Sequence, residues 1–306
     1  MSDSPVQAAR ALRAGGLVIL PTETVYGLAA DAADAVAVAA IFEAKGRPRF
    51  NPLIAHAPDL DAARRIAVLD ARAIALAEAF WPGPLTLVAP VRDPAAVCDL
   101  ARAGLDTVAV RVPAHPLALE VLRLFGGPVV APSANRSGRP SPTRFADAVE
   151  ETGAFAAAAV DGGPCAVGVE SSVVAVLDGP PRLLRAGGAT RAEIEAVVGP
   201  LAQADDDARR SPGRLALHYA PDAPVRLEAA APRPGEAFLA FGPSPVETAF
   251  NLSPAGDLRE AAANLFAFLR AADRTRPTGI AVAPIPPEGL GEAINDRLRR
   301  AAGFVG

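Results

Sequence analysis

Lysine is nearly missing from this 306-residue chain: of its 30 basic residues, Lys45 is the only lysine and the rest are arginine. That scarcity excludes a phosphate-binding P-loop, which needs Gly-Lys followed by Ser or Thr, because Lys45 follows Ala44 and precedes Gly46. A Gly-x-Gly-x-x-Gly turn after a strand, a Val-Ala-x-Lys kinase strand and a Gly-x-Ser-x-Gly elbow are missing too, so any nucleotide is held by another architecture. Cysteine is limited to Cys98 and Cys165, far apart and without a Cys/His cluster. This excludes a disulfide scaffold and a structural zinc site, and both thiols are expected to be buried. No apolar run approaches the about 18 to 20 residues of a membrane helix, and Met1 to Arg10 lack the apolar stretch of a signal peptide, so the expected location is cytoplasmic. A net charge of −4 and a pI near 5.5 argue against a protein that coats nucleic acid through its overall field, leaving only a local basic patch.

Hydrophobic residues make up 51% of the chain and aromatic ones 5%, which implies a core built from Ala, Val and Leu rather than rings. The length suits one large domain and a smaller one. Apolar strand-like runs fall at Leu17 to Leu20, Pro52 to Ala55, Leu85 to Ala89, Thr107 to Val112, Val129 to Ala131, Ala157 to Val160, Ser172 to Leu177 and Arg182 to Leu184. Helical spacing lies between them, at Ala35 to Lys45, Asp70 to Phe80, Pro116 to Phe125, Thr143 to Glu151 and Thr190 to Val198, the last opened by the capping-box pair Thr190 and Glu193. This alternation predicts α/β structure with a twisted mixed sheet. From Gly199 to Pro221 the periodicity stops, with Asp205-Asp206-Asp207, Arg209-Arg210 and Ser211-Pro212-Gly213, which marks a linker. Strands at Val225 to Leu227, Ala237 to Phe241 and Gly279 to Ala283, with helices from Asp257 to Ala272 and from Pro287, predict a small second α/β domain.

The rare residues gather in a few places. Pro21-Thr22-Glu23-Thr24-Val25-Tyr26-Gly27-Leu28 follows a strand and offers hydroxyls and a carboxylate where open α/β sheets place ligands, although an ordinary connection would read the same way. Lys45-Gly46-Arg47-Pro48-Arg49-Phe50-Asn51-Pro52-Leu53, running on to His56, masses cations suited to a polyphosphate, or to bulk water on a solvated loop. Trp81-Pro82-Gly83-Pro84 reads as a packing turn. In Thr107-Val108-Ala109-Val110-Arg111 the alternation puts Thr107, Ala109 and Arg111 on one face, and a buried arginine there must meet an anion. Ala131-Pro132-Ser133-Ala134-Asn135-Arg136-Ser137-Gly138, continuing to Ser141 and Thr143, supplies hydroxyls and amides before a helix, as an anion site would. Gly168-Val169-Glu170-Ser171-Ser172-Val173 precedes Arg185-Ala186-Gly187, and the linker carries His218-Tyr219.

In this order, these motifs resemble the threonylcarbamoyl-AMP synthase family. The likeness is dense from Ala8 to Gly187, and the remainder resembles the family's longer, two-domain branch. The resemblance implies a YrdC-type twisted mixed open sheet with helices over residues 1–199, an ordered linker closing over the active site at 200–222, and a small C-terminal Rossmann-like α/β domain at 223–306. It also implies that Thr24, His56, Arg111, Ala131 and Ser171 hold threonine, and that Arg47, Asn51, Thr107, Ser133, Ser141, Arg185, His218 and Tyr219 hold ATP. Lys45 and Arg47 would be the catalytic cations, affecting turnover more than stability. One departure is Ser171-Ser172, where the family more often has Ser-Thr; the hydroxyl is retained.

The implied chemistry joins threonine and bicarbonate as a carbamate, whose carboxylate attacks the α-phosphate of ATP and expels pyrophosphate. Both reactants are anionic, so the expected cofactor is Mg²⁺ held mainly through ATP phosphates, with no protein metal site. The product would pass to a tRNA threonylcarbamoyl transferase complex. Two rival readings carry over: a carbamoyl adenylation serving another acceptor, whose extra modules this chain lacks, and an RNA-binding module using Arg47, Arg49, Arg136, Arg139 and Arg144. A weak RNA contact is compatible with either enzyme.

Overall fold

The computed structural model describes residues 2–47, 51–202 and 218–303, so Pro48 to Phe50 and the linker motifs from Asp205 to Gly213 lie outside the described residues. Strands β1 (Leu17–Leu20), β2 (Gly27–Asp31), β3 (Ile54–His56), β4 (Leu85–Pro90), β5 (Thr107–Arg111), β6 (Val129–Val130), β7 (Ala156–Ala159), β8 (Ser172–Ala175) and β9 (Arg182–Arg185) form one sheet in the order β7-β1-β2-β6-β3-β5-β4-β8-β9. The sheet is mixed: β1/β7, β3/β5 and β4/β8 run parallel, whereas β1/β2, β2/β6, β3/β6, β4/β5 and β8/β9 run antiparallel.

Around it lie α1 (Pro5–Arg13), α2 (Ala35–Lys45), α3 (Leu60–Ile66), α4 (Ala71–Phe80), α5 (Asp99–Arg102), α6 (Pro116–Phe125), α7 (Phe145–Thr152) and α8 (Arg191–Val198). Their ends follow local chemistry. Asp34 caps α2 by accepting from the amides of Val36 (2.8 Å) and Ala37 (3.2 Å), and Gly46 ends it in the left-handed region at φ 58°. Thr190 and Glu193 form the expected capping box of α8. Sequence periodicity missed β2, which starts at the end of the first motif, and the short helices α3 and α5.

Strand alternation builds two unlike faces. Ala55, Leu85, Leu87, Val108, Val110 and Val174 point into the main core with Val38, Ile41 and Phe42 of α2, Leu76 of α4 and Ile194 of α8. Their neighbours Ile54, Val88, Ala109, Val173 and Ala175 make a small apolar patch on the opposite face. His56 and Arg111 share that opposite face by the same alternation, and the register sets them side by side, since His56 pairs with Arg111.

A second sheet holds β10 (Val225–Arg226), β11 (Glu236–Ala240), β12 (Phe250–Asn251) and β13 (Gly279–Val282), all parallel, in the order β10-β13-β11-β12. It packs with α9 (Leu258–Arg274) and α10 (Leu290–Ala301). This core is not self-contained: Val25 and Val169 from the first domain and Tyr219 join Leu265, Phe266 and Leu298 within it. Gly168, at φ 75°, brings the backbones together, because a Cβ there would stand 2.3 Å from the carbonyl oxygen of Ala262. Charge pairs seal the junction: Arg270 with Glu151 at 2.9 Å, both buried, and Arg274 with Glu150 and Asp147. No helix among the described residues is long and apolar enough to cross a membrane. Of the two thiols, Cys165 is buried as expected, whereas Cys98 is half-buried.

Candidate active site

A cleft opens over the face that carries His56 and Arg111. It is lined by Thr24, Val25, Arg47, Pro52, Leu53, Ile54, His56, Arg111, Ala131, Pro132, Ser133, Glu170, Ser171, Arg185, His218 and Tyr219. The cleft has an empty volume of about 520 Å³, part of it open to solvent.

At one end, Arg111 uses each of its three nitrogens. Its Nε donates to the Gly83 carbonyl (3.1 Å), Nη1 to Thr24 Oγ1 (3.0 Å) and Nη2 to Glu23 Oε1 (2.5 Å). The anion demanded by its burial is therefore the protein's own Glu23, whose other oxygen accepts from the Ala114 amide (3.0 Å). Thr22 spends its hydroxyl proton on the Val25 carbonyl (2.6 Å), so Thr24, 2.8 Å from the Thr22 oxygen, donates to it. Thr24 thus turns acceptor capacity toward the cleft. Burial, then Arg111, holds His56 down to about 3, so its imidazole is neutral at pH 7; its Nδ1 lies 3.1 Å from the Ile54 carbonyl.

At the opposite wall, Ser171 Oγ sits 2.8 Å from Thr86 Oγ1 and accepts from Arg185 Nη2 (3.2 Å), while its carbonyl accepts from Arg185 Nε (3.1 Å) and Nη2 (2.9 Å). The turn after β9 can approach this closely only because residue 187 is glycine: a Cβ would lie 2.3 Å from the Glu170 carbonyl oxygen. Glu170 is buried, which alone would raise its pKa, but Arg297 and then Arg185 and Ser141 pull the carboxylate down to about 2. Arg47 has a thinner protein complement. Its Nη2 reaches only the Pro52 carbonyl at 3.5 Å, its Nε is buried without a partner among the described residues, and burial lowers its pKa to about 10.

The His218-Tyr219 pair forms the remaining wall. Tyr219 adopts φ 63° and packs its ring 5.3 Å from that of Phe266 and 3.9 Å from that of His218. Ala220 anchors the segment by donating its amide to the Gly138 carbonyl (2.7 Å). Burial holds His218 down to about 3, and its Nδ1 has no partner among the described residues.

Most residues singled out in the sequence meet here: Thr24, Arg47, His56, Arg111, Ala131, Ser133, Ser171, Arg185, His218 and Tyr219 all line the cleft. Lys45, Asn51, Thr107 and Ser141 do not. The Lys45 ammonium is buried against the carbonyls of Ser133 and Asn135, and burial, then Arg47, lowers its pKa. Here it holds the loop that presents Ser133, behind the cleft wall. Asn51 is buried just before Pro52, and Ser141 stands behind the wall, donating to Glu170 Oε1 (2.5 Å). Thr107 begins β5 and lines a second cavity with Asp106, Leu177 and Arg182, on the same face as Arg111 but about 13 Å along the strand. Sequence reasoning offered the Glu23 carboxylate as a ligand group rather than as the partner of Arg111, and gave no role to Thr86, Glu170 or Arg297. Glu23 and Glu170 could have been sought as the counter-ions that buried arginines require; nothing near Arg297 in sequence distinguishes it.

Residues 10–187 match the family described as Telomere recombination, and residues 189–303 match the threonylcarbamoyl-AMP synthase C-terminal domain. The threonylcarbamoyl-AMP synthase of Bacillus subtilis is 39% identical over 97% of this chain and 92% of its own, and that of Pyrococcus abyssi is 41% identical over 97% and 93%. The crystal structure of Pyrococcus abyssi Sua5 complexed with L-threonine superposes with a TM-score of 0.89 at 39% identity, covering 98% of this chain and 94% of that one. Both halves of the sequence, the cleft between them and the two-sheet architecture thus agree, and the chain belongs to the threonylcarbamoyl-AMP synthase family in its two-domain form.

Proposed function

We propose that the cleft condenses L-threonine, bicarbonate or CO₂, and ATP to threonylcarbamoyl-AMP and pyrophosphate, a nucleotidyl transfer feeding threonylcarbamoyladenosine formation in tRNA. The observation that carries this reading is the convergence on one cleft of Thr24, His56 and Arg111 at one end with Ser171, Arg185, Arg47 and Ser133 along its other walls. A relative of the same fold binds L-threonine.

Each group has a task that its surroundings allow. Neutral His56 and the acceptor face of Thr24 border a place for a threonine ammonium without repelling it, and Arg111, held by Glu23, borders the carboxylate. Once the amine has lost its proton and taken up CO₂, one carbamate oxygen forms a bond to the α-phosphorus while the bond to the pyrophosphate oxygen breaks. Arg47, with its under-used guanidinium, and Arg185 spread positive charge along the triphosphate. Positioning and electrostatics supply the acceleration, with no nucleophilic side chain needed.

The described residues contain no group of three or more His, Cys, Asp or Glu able to hold a metal, and the one carboxylate lining the cleft, Glu170, is engaged by Arg297. These residues fit a Mg²⁺ carried in on phosphate oxygens and water, where it supplies further charge neutralisation. The His218-Tyr219 wall covers the cleft, and closed over a bound nucleotide it excludes the water that would destroy the mixed anhydride. The product is then handed to a tRNA-modifying transferase, which places the work in the cytoplasm.

The test is incubation with ATP, Mg²⁺ and bicarbonate, with and without threonine, reading pyrophosphate and the nucleotide product by mass. Threonine- and bicarbonate-dependent pyrophosphate with a threonylcarbamoyl-AMP mass is expected. Release driven by carbamoyl phosphate would shift the assignment to carbamoyl adenylation.

A further inference from the structure

The cleft is backed by a residue of the second domain. Arg297, on α10, has no exposed surface. Its Nε donates to Glu170 Oε2 at 2.9 Å, its Nη1 donates to Asp296 Oδ2 at 2.7 Å, and its guanidinium carbon stands 5.5 Å from the centre of the Tyr219 ring. Nη2 is buried with no hydrogen-bond partner among the described residues. One guanidinium therefore touches a carboxylate of the cleft wall and a ring of the segment that covers the cleft. The same carboxylate fixes Ser141 through its other oxygen and is adjacent in sequence to Ser171.

A carboxylate in the wall of a site for a polyanion needs an account. Unpaired, Glu170 would set a negative charge beside the phosphates, in surroundings where Coulomb forces are weakly screened. Paired with Arg297, which also holds Asp296 while Arg300 pairs that second carboxylate, its charge is offset, and the cleft keeps the net positive charge of Arg47 and Arg185. Tyr219 holds a backbone conformation unfavourable to a residue with a side chain, so its place depends on its packing, and Arg297 and Phe266 of the second domain supply that packing. Two of the three groups that Arg297 meets, Glu170 and Tyr219, line the cleft; the third, Asp296, belongs to its own helix.

We propose that Arg297 is a positioning residue of the nucleotide site: by neutralising Glu170 and seating Tyr219, it makes the second domain a structural component of the active site. This rests on the reading of the cleft as an ATP site. Arg297→Met keeps the stem and removes the charge. ATP titrated calorimetrically without threonine is expected to bind on the order of tenfold more weakly or worse, the scale of an unpaired buried charge. Threonine binding, on the Glu23–Arg111 side, should change far less. Adding Glu170→Gln to Arg297→Met removes the stranded anion and should restore most of the ATP affinity.

Glu170→Gln alone leaves Arg297 in place and serves should Arg297→Met fail to fold; it is expected to bind ATP at least as tightly as the wild type. Asp296→Asn removes a carboxylate from the other side of the same guanidinium and should leave ATP affinity unchanged. A folded Arg297→Met with a lower melting temperature but wild-type ATP affinity would reduce Arg297 to a strut between domains and overturn the proposal, as would weakened ATP binding in Glu170→Gln. A wild type that binds ATP yet releases no pyrophosphate sinks the reaction reading and leaves this one to be decided by the titrations. A wild type that binds no ATP sinks both.

Discussion

Acid should weaken this fold earlier than its carboxylates alone would allow, because two of its histidines are buried in the neutral form. His56 and His218 are both held down to about 3 by burial, from an ordinary value of 6.5. Between about pH 3 and 6.5 the unfolded chain binds a proton at each site and the folded chain does not, so stability falls as the pH drops through that window. Each histidine contributes about 1.4 kcal/mol per pH unit. At pH 5, some one and a half units below the unfolded value, each costs about 2 kcal/mol, or about 4 kcal/mol together. That is a large part of a typical stability of about 5 to 15 kcal/mol. Glu170, held at about 2, adds a loss of the same sign, beginning only below its ordinary 4.5. The assay is urea unfolding at pH 7.5, 6.5, 5.5 and 5 for the wild type, His56→Gln and His218→Gln. Each variant should start less stable at pH 7.5 and lose stability more slowly on acidification, by about 1.4 kcal/mol per unit. Equal slopes in all three proteins would refute the account and show that these rings are protonated, or reached by water, in the folded state.

Replacing Arg111 with Met strands Glu23, whose side chain is only 12% exposed, and should cost about 3 to 5 kcal/mol, lowering the melting temperature by roughly 6 °C or more. Adding Glu23→Gln should recover most of that loss in scanning calorimetry without recovering threonine binding. Lys45→Met leaves the Ser133 and Asn135 carbonyls without their donor and should cost about 1 to 3 kcal/mol, whereas Arg47→Met should change stability by less than about 1 kcal/mol while removing most ATP affinity. Equal effects of the two on stability would contradict the assignment of Lys45 to the loop. Gly187→Ala drives a methyl into the backbone of Glu170 to Ser172, and should lower turnover more than tenfold while costing about 1 to 3 kcal/mol in denaturant unfolding.

The periodic parts of the molecule were legible because a strand or helix announces itself locally. Pro116–Phe125 appears where its apolar spacing put it, with Pro116 opening it and Gly126 closing it at φ 88°. The buried strands read as apolar runs for the same reason. Strand β2 did not, since Gly27-Leu28-Ala29-Ala30-Asp31 has little strand propensity and is held by its antiparallel neighbours β1 and β6. In the cleft, residue types were readable but their distances were not. Thr107 and Arg111 share a face by alternation, yet rise per residue separates them by the length of a nucleotide. Lys45 was conspicuous by its rarity, but only the path of the Ser133–Asn135 loop shows what its ammonium meets. Arg297 was invisible because an ion pair with Glu170 spans 127 residues and leaves no local pattern.

The sharing of Val25 and Val169 with the core of the second domain bears on how the molecule is made. On the ribosome the first domain emerges first, with Thr24, Arg47, His56, Arg111 and Ser171 all present, but Leu265 and Phe266 arrive only with α9 and Arg297 only with α10. Until then Tyr219 lacks Phe266 and Arg297 to pack on, and Val25 and Val169 lack the core they are buried in. A chain that stops before α10 lacks Arg297 and part of the core that Val25 and Val169 join, so the wall at Tyr219 loses support from the far domain.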